Sequence, residues 1–206
     1  NPKVYEIGRC FRNEGIDTTH NPEFSMLEFY EAFADAAKHR IFVEELLRSV
    51  VQNVFGTLKI KSEEDEIDFS KPFEVVSYYD LLKKHALVAN PEAITAAEAL
   101  LKAKQFGAEI KPTEPLPKIL DAIYKKACRP KLVQPTYIVD YPASFFPLAK
   151  RKTDNPELLD AFQLVVGGVE VVKAFSELND PIDQRGRFAD QEKDKAAGDT
   201  EAQVTD

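Results

Sequence analysis

The sequence predicts an α+β fold: a mainly antiparallel sheet flanked by helices, with a small helical insertion. Three observations carry that expectation. Strand-like alternation occupies both flanks of the chain, around residues 4–34 and 131–177. A helical, alanine-rich stretch lies between them. Gly167-Gly168 joins two β-rich runs as a two-residue hairpin turn does. The 206 residues, 44% hydrophobic and 10% aromatic, suffice for a sizeable core and fit one soluble domain.

Val4–Asn13 and Ser25–Ala34 read as strands around a polar loop, residues 15–23, whose Gly, Asp, Asn and Pro favour turns. Asp35 is the expected N-cap of a helix in which Phe42, Leu46, Val50 and Val54, with neighbours Val43, Leu47 and Val51, recur at helical spacing until Gly56 closes it. Residues 57–71 alternate like an exposed hairpin, and PFEVVSYYDLLKKHA begins as a strand and turns helical. From about Pro91 to Arg129 the pattern is helical, punctuated by Pro112, Pro115 and Pro117. Its lysines are expected to form a solvated face, with a local RNA contact as the alternative. Strands return in LVQPTYIVDYP and FQLVVGGVEVVKAFSEL, and Asp180-Pro181 supplies an N-cap and a first-turn proline for a last helix toward Gly198. Residues 1–84 and 131–206 thus read as parts of one sheet-bearing domain, and 85–130 as the helical insertion. NPKVYEIGRCFRNE opens directly in a strand pattern and GDTEAQVTD stops as a new segment begins, so both ends are expected to be cuts inside a larger domain.

Thirty-five acidic against 27 basic residues, a formal charge of −8, argue against a surface that grips nucleic acid everywhere; any RNA contact is local. Cys10 and Cys128 lie far apart and outside metal-ligand spacing, as expected of buried thiols in a reducing, cytoplasmic setting. No apolar run approaches the roughly 18 residues of a membrane span, so no membrane partner is expected.

The strands carry unusual charge. Residues two apart share a strand face, so Arg12 pairs with Glu14 in direction, and Glu28 with Tyr30. If the two strands pair antiparallel, one surface presents an arginine, two carboxylates and a phenol, which is costly to bury empty. A salt-bridge network in which Arg12 satisfies Glu14 or Glu28 is one reading. Glu170 and Glu177 add acids on the second hairpin, and clustered acids on a sheet surface call for a bound cation, either a divalent metal or an ammonium group. Arg12 suits the opposite task, because its planar fork matches a phosphate or carboxylate, and Phe24 is placed to stack on a ring. Together they suggest a pocket for a phosphate, a planar base and a positively charged small molecule.

The string FRNEGIDTTHNPEFSMLEFY resembles motif 2 of the class II aminoacyl-tRNA synthetases, and its HNPEF loop followed by LEFY is similar to the lysyl-tRNA synthetases in particular. PLAKR at 147–151, the GGVEVV hairpin and AFSELNDPIDQRGRFADQ at 174–191 continue the resemblance in the same order. It implies a class II catalytic-domain fold and ATP-dependent activation of L-lysine to lysyl-adenylate, with transfer to tRNA(Lys). It also implies Mg2+ as cofactor and a homodimer. By the same resemblance Arg12 holds the α-phosphate of ATP and the substrate carboxylate, and Glu14 reads the adenine amino group. His20 and Asn21 meet the ATP tail and base, and Phe24 stacks on the adenine. Glu28, Tyr30 and Glu177 bind the lysine ammonium, and Glu170 is a metal ligand bridging ATP phosphates.

Two positions depart from the family pattern. Gln163 stands seven residues before Glu170, where an acidic metal ligand is usual, and Lys173 stands where an asparagine meets the substrate. Lys173 is a cation that either repels the lysine side chain or pairs with Glu177. A regular strand also puts Lys173, Phe175 and Glu177 on one face and Glu170 on the other, so a bulge between them is needed to reconcile both roles. The family's motif 1, motif 3 and anticodon-binding OB domain have no counterpart in these residues, so the stretch alone is expected to be weakly active or inactive. The alternatives are a ligase that lysylates a protein acceptor and a non-catalytic paralogue acting as a binding module.

Overall fold

The computed structural model describes residues 2–13, 16, 20–62 and 65–196. The chain divides into two compact units, Asn1–Ala34 and Asp35–Asp206.

The first unit is an antiparallel hairpin of β1 (Lys3–Phe11) and β2 (Glu23–Glu31), in register from Lys3 opposite Glu31 to Phe11 opposite Glu23. Pairing starts two residues earlier on the second strand than alternation alone suggests, because Pro22 still closes the ladder by accepting the Arg12 amide at 2.9 Å. None of its described residues is buried, and Cys10 is half-buried rather than buried as expected. Two strands by themselves offer no interior to fill.

The second unit holds the core. Its first element, α1 (Ala36–Phe55), starts at Asp35, whose side chain accepts the Lys38 amide at 2.8 Å, and ends at Gly56 in the left-handed region at φ 71°. Ala36, Val43 and Val51 form its buried stripe, whereas Phe42, Val50 and Val54 are 46%, 47% and 68% exposed. The helix therefore has two apolar stripes, and only one faces this unit. The hairpin of β3 (Lys59–Ser62) and β4 (Asp65–Asp68) was expected to be exposed, yet Ile67, Asp68 and Phe69 are buried. Gln134 clamps it, accepting the Asp68 amide at 3.0 Å and donating to the Glu66 carbonyl at 2.8 Å.

The main sheet has the order β5 (Glu74–Ser77), β6 (Thr136–Val139), β7 (Ala161–Val166) and β8 (Val169–Phe175). Two of its three pairings are antiparallel, but β5 runs parallel to β6. A parallel pair needs a long crossover, and the helical stretch provides it: α2 (Tyr78–Ala86), α3 (Ala96–Gln105), α4 (Leu116–Ile123) and a π-helical turn over Tyr124–Cys128 all lie between those strands. Leu81, Leu82, Ala99, Ile119, Ile123 and Ile138 close around one another there as the largest buried cluster. Gly167 and Gly168, at φ 58° and 74°, make the β7–β8 turn as a two-residue primed turn requires. The last helix, α5 (Pro181–Ala196), is capped by Asp180, which accepts the Ile182 and Asp183 amides at 2.8 and 3.2 Å.

Candidate active site

In the hairpin unit, register fixes which side chains share a face. Val4 lies opposite Tyr30, Glu6 opposite Glu28 and Cys10 opposite Phe24, so Phe24, Glu28 and Tyr30 project on one side. Arg12 follows β1 by one residue and continues that alternation, with its guanidinium carbon 5.4 Å from the Phe24 ring centroid. A guanidinium beside an aromatic face can clamp a flat, anionic ligand from two sides. The opposite face differs. There Lys3 meets the half-buried Glu31 at 3.3 Å, and Arg9 meets Glu23 at 3.6 Å as a loose, exposed ion pair.

Glu6 was not singled out in the sequence, although its place two residues before Gly8 on the Arg12 side was readable. Directly opposed carboxylates repel, so Glu6 and Glu28 together make an anionic patch suited to an ammonium group. His20 and Asn21 are exposed in the segment that joins the strands. Glu14 lies outside the described residues.

In the second unit, β7 and β8 carry the other candidates. Gln163 faces Lys173 and Leu164 faces Val172, but Val165 faces Glu170, so Val171 is an extra residue bulged out of the ladder. The bulge puts Gln163, Val165, Glu170 and Lys173 on the same side of the sheet. The alternation that a regular strand would impose is broken at the one place where both roles needed it. Glu177 lies just past β8, where its backbone bridges Ala149, and the neighbouring Ser176 hydroxyl hydrogen-bonds Asp160.

The polar groups on this face have defined partners. Gln163 is buried, and its Oε1 accepts the Tyr141 hydroxyl at 2.6 Å. The Lys173 ammonium rests 3.9 Å from the Phe146 ring centroid. Glu170 is reached by solvent but hemmed by protein, so desolvation raises its carboxyl above the usual range against the pull of Lys173, Arg129 and Lys125. Desolvation lowers the Lys173 ammonium, and Glu170 opposes that most strongly. Desolvation raises the Glu177 carboxyl above its usual range. Lys173 therefore shares its side of the sheet with Glu170 and rests on Phe146. Arg129 and Tyr141 reach this face from distant segments, which no local spacing announced. The hydroxyls of Tyr78 and Tyr124 are buried without a hydrogen-bond partner among the described residues.

A cavity lies elsewhere in the unit. It measures about 770 Å³ and is bordered by Tyr79, Asp140, Asn155, Glu157, Arg151 and Arg187. None of the residues proposed for ligand binding from the sequence lines it. Its wall is a network in which Asp183 accepts from Arg151 Nε at 3.1 Å and Arg187 Nη2 at 2.8 Å, while the buried Arg187 also donates to the Phe146 and Ala149 carbonyls. With its donors so occupied, Arg187 organises the loop at 146–149. Among the described residues no group of three or more His, Cys, Asp and Glu is arranged to hold a metal, and no helix is long and apolar enough to cross a membrane.

The chain thus carries an antiparallel hairpin with Arg12 and Phe24 on one face and a mixed sheet whose bulged strand bears Glu170. The chain belongs to the class II tRNA synthetases (D, K and N), whose family model matches residues 1–205. Its similarity to individual proteins is narrower. It is 45% identical over 206 residues to the lysine–tRNA ligase of Pelotomaculum thermopropionicum, covering 99% of this chain and 41% of that protein. The lysine–tRNA ligases of Moorella thermoacetica and Aquifex aeolicus are each 43% identical, over 42% and 34% of their lengths. The chain thus spans about two fifths or less of the relatives it matches.

Proposed function

We propose that the protein to which this chain belongs activates L-lysine with ATP and transfers it to tRNA(Lys). The observation that carries the reading is the hairpin face on which Arg12, Phe24, Glu28 and Tyr30 stand in one row. In the first step the lysine carboxylate attacks the α-phosphorus of ATP. A carboxylate–phosphorus bond forms, the bond to the bridging oxygen breaks, and pyrophosphate leaves with that electron pair. Arg12 lies against both reacting groups and neutralises charge as it builds on the phosphorus. Phe24 holds the adenine by stacking, with Glu14, His20 and Asn21 around the base and the phosphate tail. Glu28, Tyr30 and Glu177 hold the lysine ammonium, which fixes the carboxylate for attack. In the second step the terminal ribose hydroxyl of the tRNA takes the lysyl group and AMP departs.

Magnesium enters as part of the MgATP substrate, and Glu170 is the carboxylate proposed to face it. A resident ion shared by positions 163 and 170 does not fit this chain, because the Gln163 oxygen already accepts from Tyr141 and Lys173 is a cation on the same face. The homodimer and the cytoplasmic location belong to the same proposal and rest on family likeness. The test is amino-acid-dependent exchange of pyrophosphate into ATP by the native-length protein, with lysine, arginine, ornithine, aspartate and asparagine. Exchange with lysine alone is expected. Exchange with another of the five overturns the substrate. No exchange with any of them overturns the enzyme reading in favour of a binding module, which Gln163 and Lys173 would then explain.

A further inference from the structure

Three features of the β7–β8 face point beyond the adenylation reading. Gln163 and Lys173 are direct cross-strand partners, and the Val171 bulge brings Glu170 onto their side. Gln163 is held by the hydroxyl of Tyr141, itself a fully buried ring that cannot turn its hydroxyl toward water. Lys173 is exposed, yet its ammonium is seated over the Phe146 ring, which holds it against this face. Of the charges acting on Glu170, that of Lys173 is the largest.

A hard divalent cation wants several oxygens and at least one or two carboxylates. Here one carboxylate is present, the second position offers an amide oxygen already in use, and a positive charge stands on the same face. Each feature acts against a metal ion, and Lys173 puts a positive charge on the Glu170 side of the sheet without one. We propose that Lys173 is a built-in cation: its ammonium supplies, beside Glu170, the positive charge of a metal ion shared by positions 163 and 170. The protein by itself therefore holds no divalent ion there and meets magnesium only when ATP brings it. The inference rests on the proposed use of this face for MgATP, but its test does not depend on catalysis.

The experiment is titration of Mn2+ into the native-length protein without ATP or amino acid, reading free Mn2+ by its electron paramagnetic resonance signal. Wild type is expected to leave that signal as the Glu170→Gln variant leaves it. The double variant Gln163→Glu/Lys173→Asn, checked for folding by circular dichroism, is expected to take up one ion per chain at least about tenfold more tightly than wild type. The single variant Lys173→Gln should move affinity in the same direction, and it answers the question alone if the double variant does not fold. One ion per chain in wild type that is lost in Glu170→Gln overturns the proposal. So does equal affinity, tight or absent, in wild type and the folded variants. Pyrophosphate exchange, measured separately, reports whether lysine is activated, so failure of the one reading is distinct from failure of the other.

Discussion

The hairpin of residues 1–34 and the body of residues 35–206 handle charge in opposite ways. In the hairpin, nothing described is buried, and Arg12, Phe24, Glu28 and Tyr30 stand in a row whose spacing comes from strand alternation alone. In the body, the charged and polar groups are locked into partners from distant segments, as when Arg151 and Arg187 meet on Asp183, or Tyr141 reaches Gln163. The difference separates two jobs. An exposed row of side chains costs little to fold, whereas a buried network spends its chemistry on fixing the loops around it.

Arg12→Ala should break the first half of that comparison most severely. It is expected to lower pyrophosphate exchange by about 10²- to 10³-fold or more, with the melting temperature unchanged. A variant that loses activity only because it unfolds would make Arg12 a structural residue. Asp183→Asn should break the second half. Arg187 is only 7% exposed and would keep its charge without its partner, a loss of about 2–4 kcal/mol at neutral pH in denaturant unfolding. The Arg187 and Arg151 guanidiniums hold the Asp183 carboxyl below its usual range. The folded protein therefore binds that proton less readily than the unfolded chain. This stabilisation is complete above the ordinary carboxylate range and is lost as pH falls through the folded value, so the gap to the variant should close between about pH 5 and pH 2.

Strand alternation made the hairpin face legible in the sequence. Asp35, Gly56, Gly167-Gly168 and Asp180 were legible for a similar reason, since each acts through its immediate neighbours. The body's site was only half legible. Glu170 and Glu177 could be named, but whether Glu170 shares a face with Lys173 depends on one bulged residue, Val171, that no residue type marks. Lys173 was expected either to repel the lysine side chain or to pair with Glu177, and its seat over Phe146 was not legible because that ring arrives from a loop 27 positions earlier. The same limit explains α1, where two apolar stripes fit helical spacing equally and only packing selects Val43 and Val51.

Smaller changes sharpen the comparison. Tyr141→Phe removes the donor to the buried Gln163 oxygen and should cost about 1–2 kcal/mol in thermal or denaturant unfolding, with no direct effect on the hairpin row. Thr95→Ala should cost about 1 kcal/mol by the same measurements, because Thr95 and Glu98 form a capping box at the start of α3. An effect of either on the Michaelis constant for lysine that matches that of Glu28→Gln would blur the separation between the two regions.

The most direct test compares Glu28→Gln, from the hairpin, with Glu177→Gln, from the body, in lysine-dependent pyrophosphate exchange by the native-length protein. Each carboxylate is proposed to hold the lysine ammonium, so each variant should raise the Michaelis constant for lysine at least about tenfold and leave that for ATP unchanged. A variant that weakens ATP instead, or leaves lysine unaffected, would contradict the assignment of these acids to the amino-acid side chain.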